Sequence, residues 1–405
     1  MKREYLSRLW LLAGLVPWAS IPASELAITA EFAPRVSSPN TVRFVNTTPL
    51  SGYCHGNASH CKPGDFTIQF PLNIDREWVS PGPIEGHNYQ RVDGNWKTVT
   101  VTADNGGQAV PLQFRLNLLS RRYNRGTLAP GGVDGSITNI SNYSGIYGAS
   151  RGGCQGRVGV GNSVLYEFAW GVPSGIATCS REPNDVPIGP YLGSVNNVSV
   201  GYELEAPNPF ALGNGTYRGS VTYTLGSGQQ IDLGTGEYSD SELTFNFELK
   251  VQHELRVDFP AGSDRAVLEP DGGWQRWLHG GQVPTRLQRT HPFQIWASAP
   301  MKMYLRCDTP MAGQCSIREP GKGHQVPIVV AVTLPGEIRY QGAPVQQLPL
   351  PLGEAQALQF QSVAIAAARQ ARLHYWVDQP HVAAMLEHRG SQYRGDVTIV
   401  FDAQI

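Results

Sequence analysis

Short runs in which apolar and polar residues alternate recur along the chain. The clearest cover residues 26–32, 66–70, 98–102, 112–118, 198–202, 255–259 and 301–307. A repeat of two residues puts alternate side chains on one face of a β-strand. Turn-forming Gly (45) and Pro (30) residues are spread between these runs rather than clustered. Many short strands separated by turns are typical of antiparallel sandwiches, so the predicted fold class is all-β.

Two segments test this pattern because their residues also favour helix. The alanine-rich residues 363–373 have good helix propensity. Leu373, Tyr375 and Val377 continue the segment as an alternating run, which favours a strand. A short helix is expected over residues 382–388.

A short sequence containing Tyr, Arg and Gly occurs twice. Tyr217-Arg218-Gly219 begins one alternating run, and a second strand follows it over residues 243–251. The later copy leads into the alternating residues 397–405, and no strand follows in the sequence. If the two copies are equivalent, the second sandwich lacks one strand, and a strand from another chain must fill its groove. The residues expected to form this groove are Tyr393, Gly395, Val397, Ile399, Phe401, Ala403 and Ile405.

The chain divides into an export signal and two domains. Residues 1–23 combine Lys2, Arg3 and Arg8 with a short apolar stretch and small residues up to Ala23, which predicts a cleaved secretory signal peptide. Later segments do not approach the roughly 18 apolar residues of a membrane span. We expect a larger domain over residues 24–252 and a smaller one over residues 255–405. Without a Gly/Ser linker between them, the domains should be stacked.

Charge and cysteine content narrow the environment and the partners. The 32 basic and 33 acidic residues leave a net charge of −1, so no electrostatic field favours nucleic acid or an anionic membrane. Six cysteines form three pairs that are local in the sequence, which suggests short disulfide-closed loops in an oxidising compartment. Spacing alone leaves other connectivities open. The local pairs are Cys54 with Cys61, Cys154 with Cys179, and Cys307 with Cys315.

The layout resembles a two-domain tip subunit, or initiating minor subunit, of chaperone–usher fimbriae. The resemblance rests on the signal peptide, the two β-domains in tandem, and Tyr393 and Gly395 leading into the alternating residues 397–405. It implies two immunoglobulin-like sandwiches, the second an incomplete pilin domain. A periplasmic chaperone would bind along residues 397–405, and an adjacent pilin subunit would later donate a strand at the outer-membrane usher. The protein would pass through the periplasm to the fimbrial tip at the cell surface. The sequence departs from this family in one respect. In familiar major pilins a disulfide joins two early strands of the domain, whereas Cys307 and Cys315 are spaced to close a hairpin or a loop.

Sequence motifs give little support for metal binding or catalysis. Cys54, His55, His60 and Cys61 could supply four zinc ligands, but their spacing and an oxidising compartment favour a disulfide. The glycine-rich residues 151–161 hold a cysteine and are interpreted as a surface loop rather than a phosphate loop. The sequence lacks the common nucleophile-elbow, zinc-protease and P-loop motifs. We therefore predict no cofactor, no metal and no enzymatic activity.

The first domain is expected to carry receptor binding. The resemblance implies a host glycan or glycoprotein as the ligand. Exposed aromatic and hydrogen-bonding side chains would be needed for such a site, although Trp and Tyr in sandwiches more often belong to the core. Two alternatives remain open: a structural minor pilin or assembly initiator that binds no receptor, and a secreted β-sandwich enzyme acting on glycans. The candidate receptor-binding residues are Trp78, Trp96, Arg121, Arg122, Tyr143, Tyr147 and Trp170.

Overall fold

The computed structural model describes residues 24–34, 43–107, 109–140, 150–157 and 159–403. The expected signal peptide, residues 1–23, lies outside the described residues, as do Tyr143, Tyr147 and Ile405. Within the described ranges the chain is almost entirely strand and turn, which confirms the all-β prediction. Two separate hydrophobic cores divide the strands between two units, one with buried residues from Ile28 to Val251 and one with buried residues from Leu287 to Val382.

The first unit is built on one large twisted sheet. Its strands run in the order β15-β4-β12-β7-β6-β13-β16-β1-β2, and β5, β11 and β14 form a smaller sheet. Two short helices, α1 (Tyr53–Gly56) and α2 (Ile137–Ile140), lie in its connections. The strand bounds are β1 (Ser24–Phe32), β2 (Val45–Asn46), β3 (Thr67–Gln69), β4 (Ile74–Ser80), β5 (Asn88–Asp93), β6 (Lys97–Ala103), β7 (Ala109–Val133), β8 (Gln155–Gly156), β9 (Val160–Gly161), β10 (Leu165–Gly171), β11 (Ile176–Arg181), β12 (Ile188–Glu205), β13 (Gly215–Thr224), β14 (Ile231–Asp232), β15 (Glu237–Tyr238) and β16 (Glu242–Val251).

The second unit has two larger sheets and a small sheet of β21, β22 and β23. One larger sheet runs β17-β19-β29-β24-β27, with β18 also on β19, and the other runs β26-β25-β28-β20-β30. The helices are α3 (Gln275–Leu278) and α4 (Gln379–Glu387). The strand bounds are β17 (Leu255–Asp258), β18 (Glu269–Pro270), β19 (Leu287–Ala297), β20 (Met301–Cys307), β21 (Pro310–Met311), β22 (Gln314–Arg318), β23 (Gln325–Pro327), β24 (Val329–Thr333), β25 (Ile338–Tyr340), β26 (Ala343–Pro344), β27 (Leu348–Pro349), β28 (Leu358–Ser362), β29 (Ala366–Val377) and β30 (Val397–Ala403).

Both segments with mixed signals fold as expected. From Ala366 onward the alanine-rich residues belong to β29, which pairs with β19 and β24 on its two sides, while residues 363–365 lie before the strand. Its central place in a sheet overrides the helix propensity of its alanines, because strand pairing on both sides satisfies its backbone groups. The expected short helix is α4, with Asp378 before its first turn and Pro380 within that turn.

All three local cysteine pairs are disulfides in the structure. Cys54–Cys61 closes the turn that contains α1, Cys154–Cys179 joins the start of β8 to β11, and Cys307–Cys315 links the end of β20 to β22. Both sulfur atoms that the zinc alternative would need are therefore bonded to each other. The glycine-rich residues 151–161 differ from the expected loop, since they include the short strands β8 and β9, which pair with β10.

His253 connects the two units at their junction. Its Nε2 lies 2.8 Å from the carbonyl oxygen of Leu212, and its Nδ1 lies 3.3 Å from the Ser298 hydroxyl. The Glu254 amide also donates to the Ser298 hydroxyl at 3.0 Å. Hydrogen bonds from both sides therefore hold the short connection between β16 and β17.

Candidate strand-binding groove

A groove of ≈ 1750 Å³ opens beside β30 in the second unit. One wall is β30 and the residues that precede it, and the opposite wall is the segment 259–268 that follows β17. Side chains from β19, β29 and α4 lie between these walls. The apolar side chains lining the groove include Leu268, Leu287, Ile328, Leu373, Val382, Met385 and Leu386.

The groove follows an unpaired strand edge. In the described structure β30 pairs only with β20, and β17 pairs only with β19, so each is the edge of its sheet. Val397, Ile399 and Phe401 pack against the second core, yet each remains partly exposed. An exposed edge presents free backbone donors and acceptors to any further strand. The groove thus offers both backbone pairing and apolar contact to an extended segment.

Three phenylalanines pack together at one end of the groove, where Phe259 and Phe401 line it. The ring centroids of Phe259 and Phe293 lie 5.2 Å apart, and Phe401 lies 5.7 Å from Phe293 and 6.4 Å from Phe259. They bring the residue after β17 close to β30, because aromatic rings at such separations pack favourably. Ala403 pairs with Met301 near the end of β30, and its expected place along the groove stays a prediction.

The other end of the groove is formed by Tyr393 and its neighbours. The Tyr393 hydroxyl lies 2.7 Å from Nδ1 of His324, and the His388 ring packs 4.5 Å from the His324 ring. Burial, with a smaller contribution from Glu319, raises the pKa of Tyr393, so its hydroxyl stays neutral. Burial also raises the pKa of Tyr375, within the groove, to about 12. These polar groups present hydroxyls rather than charges to an occupant.

Sequence analysis missed the tryptophan-bearing part of the wall. Trp274 and Trp277 line the groove with ring centroids 6.0 Å apart, and both are partly exposed. Their spacing of three residues in the otherwise polar segment 271–281 is a signal that could have indicated them, because it puts both rings on one side of a helical turn. They enlarge the apolar surface available to an occupant.

The first unit contains the arrangement that the second lacks. There β16 lies between β13, to which it is antiparallel, and β1, to which it is parallel. Its alternate residues Leu243, Phe245, Phe247, Leu249 and Val251 are at most 2% exposed. In the described second unit, no strand occupies the corresponding place between β30 and β17.

Backbone contacts align the two Tyr-Arg-Gly copies. Arg218 pairs with Thr102, and a Cβ added to Gly219 would lie 2.3 Å from the carbonyl oxygen of Thr100. Arg394 forms a backbone bridge with Arg318, and a Cβ on Gly395 would lie 2.6 Å from the carbonyl oxygen of Ser316.

In each copy the arginine pairs with a neighbouring strand, and the following glycine packs against the carbonyl two residues earlier on that strand. Glycine is needed at both places because a side chain would meet backbone. The two copies therefore occupy matching positions in their units.

Three of the expected receptor-binding residues are buried in the first core. Trp78 and Trp170 are 0% exposed, and the Trp78 ring nitrogen donates to the Asn124 carbonyl oxygen. Arg121 is also fully buried, where it donates to the Gln90 side chain and stacks on Phe168 and Trp170. These three side chains cannot contact a receptor from these positions. The expectation is corrected for these three residues. β7 near Arg121 and β10 near Trp170 are buried on both faces, so alternation does not separate inside from outside there. Trp78 lies on the inward face of β4, which alternates.

Two other candidates reach the surface. Trp96 is 39% exposed, and the Arg115 guanidinium lies 5.3 Å from its ring centre. Arg122 forms an ion pair with Glu167 at 2.8 Å while its side chain stays 40% exposed. Exposed apolar side chains that sequence analysis did not single out, Val133, Val186 and Leu192, lie near the end of the β7–β12 pair.

The described residues offer neither a candidate membrane-spanning helix nor a candidate metal-ligand cluster. None of the helices there is both long and apolar enough to cross a membrane. The same residues contain no group of three or more His, Cys, Asp or Glu side chains placed to hold a metal ion.

Comparison with solved structures finds chains from two complexes of a chaperone with a tip adhesin or tip adhesion subunit. One is a chain from the chaperone–tip adhesin complex of CFA/I fimbriae biogenesis, with 10% identity, coverage of 94% of this chain and 97% of that chain, and a TM-score of 0.25. Another is a chain from the CsuC–CsuE chaperone–tip adhesion subunit pre-assembly complex of archaic chaperone–usher Csu pili from Acinetobacter baumannii. That match has 8% identity, covers 95% of this chain and 99% of the other, and has a TM-score of 0.21.

Both structures belong to the class that the sequence resemblance named. At these identities and TM-scores, neither assigns a role to any residue of this chain. No family model and no curated protein matches the sequence.

Proposed function

We propose that this chain is a tip subunit of a chaperone–usher fimbria, and that its second unit is completed by a strand from a partner. The observation that carries the proposal is the apolar groove along the unpaired edge of β30. In the matching place of the first unit, β16 is inserted and fully paired. Addition of a strand to an open sheet edge combines backbone hydrogen bonds with pockets for alternate side chains.

The open groove leaves apolar surface in water. Each large apolar side chain that becomes buried stabilises the folded state by roughly 1.5 to 3 kcal/mol. Val397, Ile399 and Phe401 are partly exposed, so each would gain a fraction of this amount when an occupant covers it. The second unit should therefore gain stability from an occupant. In this proposal a periplasmic chaperone is the first occupant, and the adjacent pilin replaces it at the outer-membrane usher.

The first unit is proposed to carry recognition at the cell surface, with a glycan or glycoprotein as the ligand. Support comes from Trp96 and Arg122, which keep exposed surface, and from the exposed apolar side chains near the end of the β7–β12 pair. The role needs no enzymatic activity, metal or cofactor. Deletion of the first unit should abolish adhesion and leave fibres. If the deletion removes the fibres and the intact protein shows no adhesion, the purely structural alternative is favoured.

The direct test is thermal unfolding of the periplasmically expressed chain with and without a strand peptide. The peptide is a synthetic copy of Glu242–Val251, whose apolar residues alternate as the groove requires. We expect a clear rise in the unfolding midpoint, because occupancy stabilises the folded state by mass action.

The controls use one groove variant and one surface variant of the same domain. Ile399→Asp should remove the rise in midpoint, because Ile399 lines the groove. Val363→Asp, at a residue that is 56% exposed and does not line the groove, should keep it. A stable protein whose midpoint no alternating peptide changes would contradict the proposed function and would favour a self-contained binding protein or enzyme.

A further inference from the structure

Arg218 and Arg394, the arginines of the two Tyr-Arg-Gly copies, have different charged partners in their units. In the first unit Arg218 is directly opposite Glu248 on the inserted strand β16, and their side chains form an ion pair. Arg218 Nε also donates to Asp104 at 3.1 Å. These hydrogen bonds raise the pKa of Arg218. The strand that fills the first groove thus contributes a carboxylate to this arginine.

Arg394 lacks the equivalent carboxylate. Its Nη2 donates to the Gln392 amide oxygen at 2.8 Å, and its side chain is otherwise exposed at the groove. Among the described residues, no carboxylate forms an ion pair with it. Asp396 also lines the groove but is two residues away along the same chain. The unmatched positive charge faces the place that a further strand would take.

We propose that the strand completing the second unit carries an aspartate or glutamate opposite Arg394. This inference rests on the proposed function and specifies the chemistry of the partner. The aligned register extends the pattern: Leu249, Phe247, Phe245 and Leu243 of β16 face Tyr217, Gly219, Val221 and Tyr223. The incoming strand is therefore antiparallel to β30. It has apolar residues opposite Tyr393, Gly395, Val397 and Ile399, and the acidic residue lies between the two apolar residues that face Gly395 and Tyr393.

The test is a double-mutant cycle between protein and peptide. The probe is the Glu242–Val251 peptide, and the affinity of the full chain for it is measured at low salt. Peptide substitution Glu248→Gln should weaken binding about twofold to fivefold, the range expected for an exposed ion pair. In the Arg394→Ala protein, the same peptide substitution should have no effect. The protein Arg394→Glu should bind the Glu248→Lys peptide better than the unaltered peptide.

Matched controls separate this charge pair from general electrostatics. Peptide Glu242→Gln removes a charge at the other end of the strand and should leave the affinity unchanged. Protein Arg372→Ala removes an exposed arginine that does not line the groove and should keep the full effect of Glu248→Gln. Equal binding of the unaltered peptide and the Glu248→Gln peptide, or a loss that persists in Arg394→Ala, would overturn the inference while leaving the groove intact. If no peptide binds the unaltered protein, the proposed function fails, and this inference fails with it.

Discussion

Gly219 and Gly395 hold equivalent positions in the two units, and each allows a neighbouring strand to approach closely. Gly219 and Gly395 each press against a carbonyl oxygen of the neighbouring strand. A glycine that enters a strand often permits close approach of a neighbouring backbone. The structure adds the partner atom and the matching register.

Gly395→Ala should destabilise the second unit. The new Cβ would lie 2.6 Å from the Ser316 carbonyl oxygen, so the backbone must shift. A loss of about 1 to 3 kcal/mol in the free energy of unfolding is expected, as for other overpacked sites. Urea denaturation measures it. Gly336→Ala, with no atom within 4 Å of the added Cβ, is the matched control and should be close to neutral. Equal stability of the two variants would contradict the assigned contact.

His253 should make stability depend on pH. Burial lowers its pKa, although the Leu212 carbonyl acts in the opposite direction. The folded state therefore binds fewer protons than the unfolded state near the ordinary histidine pKa of about 6.5. The free energy of unfolding should fall as the pH drops through and below that value. Burial also lowers the pKa of His87, His291 and His374. These histidines therefore also make the free energy of unfolding fall as the pH drops.

The contribution of His253 can be isolated by comparing denaturation at pH 7.5 and 5.0 in the unaltered protein and in His253→Asn. We expect a smaller difference between the two pH values in the variant, because one buried histidine no longer has to become charged. An unchanged difference would show that the pH dependence arises elsewhere.

At the scale of single elements, alternation predicted most strands because one face of each is buried. Residues 397–405 are the clearest case, and β30 covers their described part. Three candidate receptor-binding side chains are buried for two different reasons. Arg121 and Trp170 lie where β7 and β10 are buried on both faces, so a two-residue repeat does not separate inside from outside there. Trp78 lies on the inward face of β4, where the alternation itself holds. The repeat also carries no information on which distant segment faces an open edge. For this reason the wall formed by residues 259–268, Trp274 and Trp277 could not be predicted from it.

Trp274 and Trp277 provide an optical measure of occupancy. An apolar strand in the groove should remove water from both rings, so their emission should shift to shorter wavelength when the Glu242–Val251 peptide is added. The double variant Trp274→Phe/Trp277→Phe should lose most of this shift. The double variant Trp296→Phe/Trp376→Phe changes two rings that do not line the groove and should retain it. If the emission shift is instead lost in the Trp296/Trp376 variant, the peptide binds elsewhere.

On the scale of the whole molecule, the two units differ in how their last sheet is closed. The first is closed by its own β16, which pairs on both sides. The second keeps an open edge on β30 and an apolar groove beside it. The sequence indicated this difference through the repeated Tyr-Arg-Gly copies. Only the structure gave the register that places Glu248 opposite Arg218, and the size of the groove.

The central claim is that the free edge of β30 receives a strand, and amide hydrogen exchange tests it most directly. Exchange is followed for residues 395–403 of the full chain with and without the Glu242–Val251 peptide. The account predicts slower exchange along β30 when the peptide is present, because new backbone hydrogen bonds protect amides that now face the groove. Ile399→Asp should remove this protection. If the peptide binds while exchange along β30 stays unchanged, the strand does not add to this edge and the account is wrong.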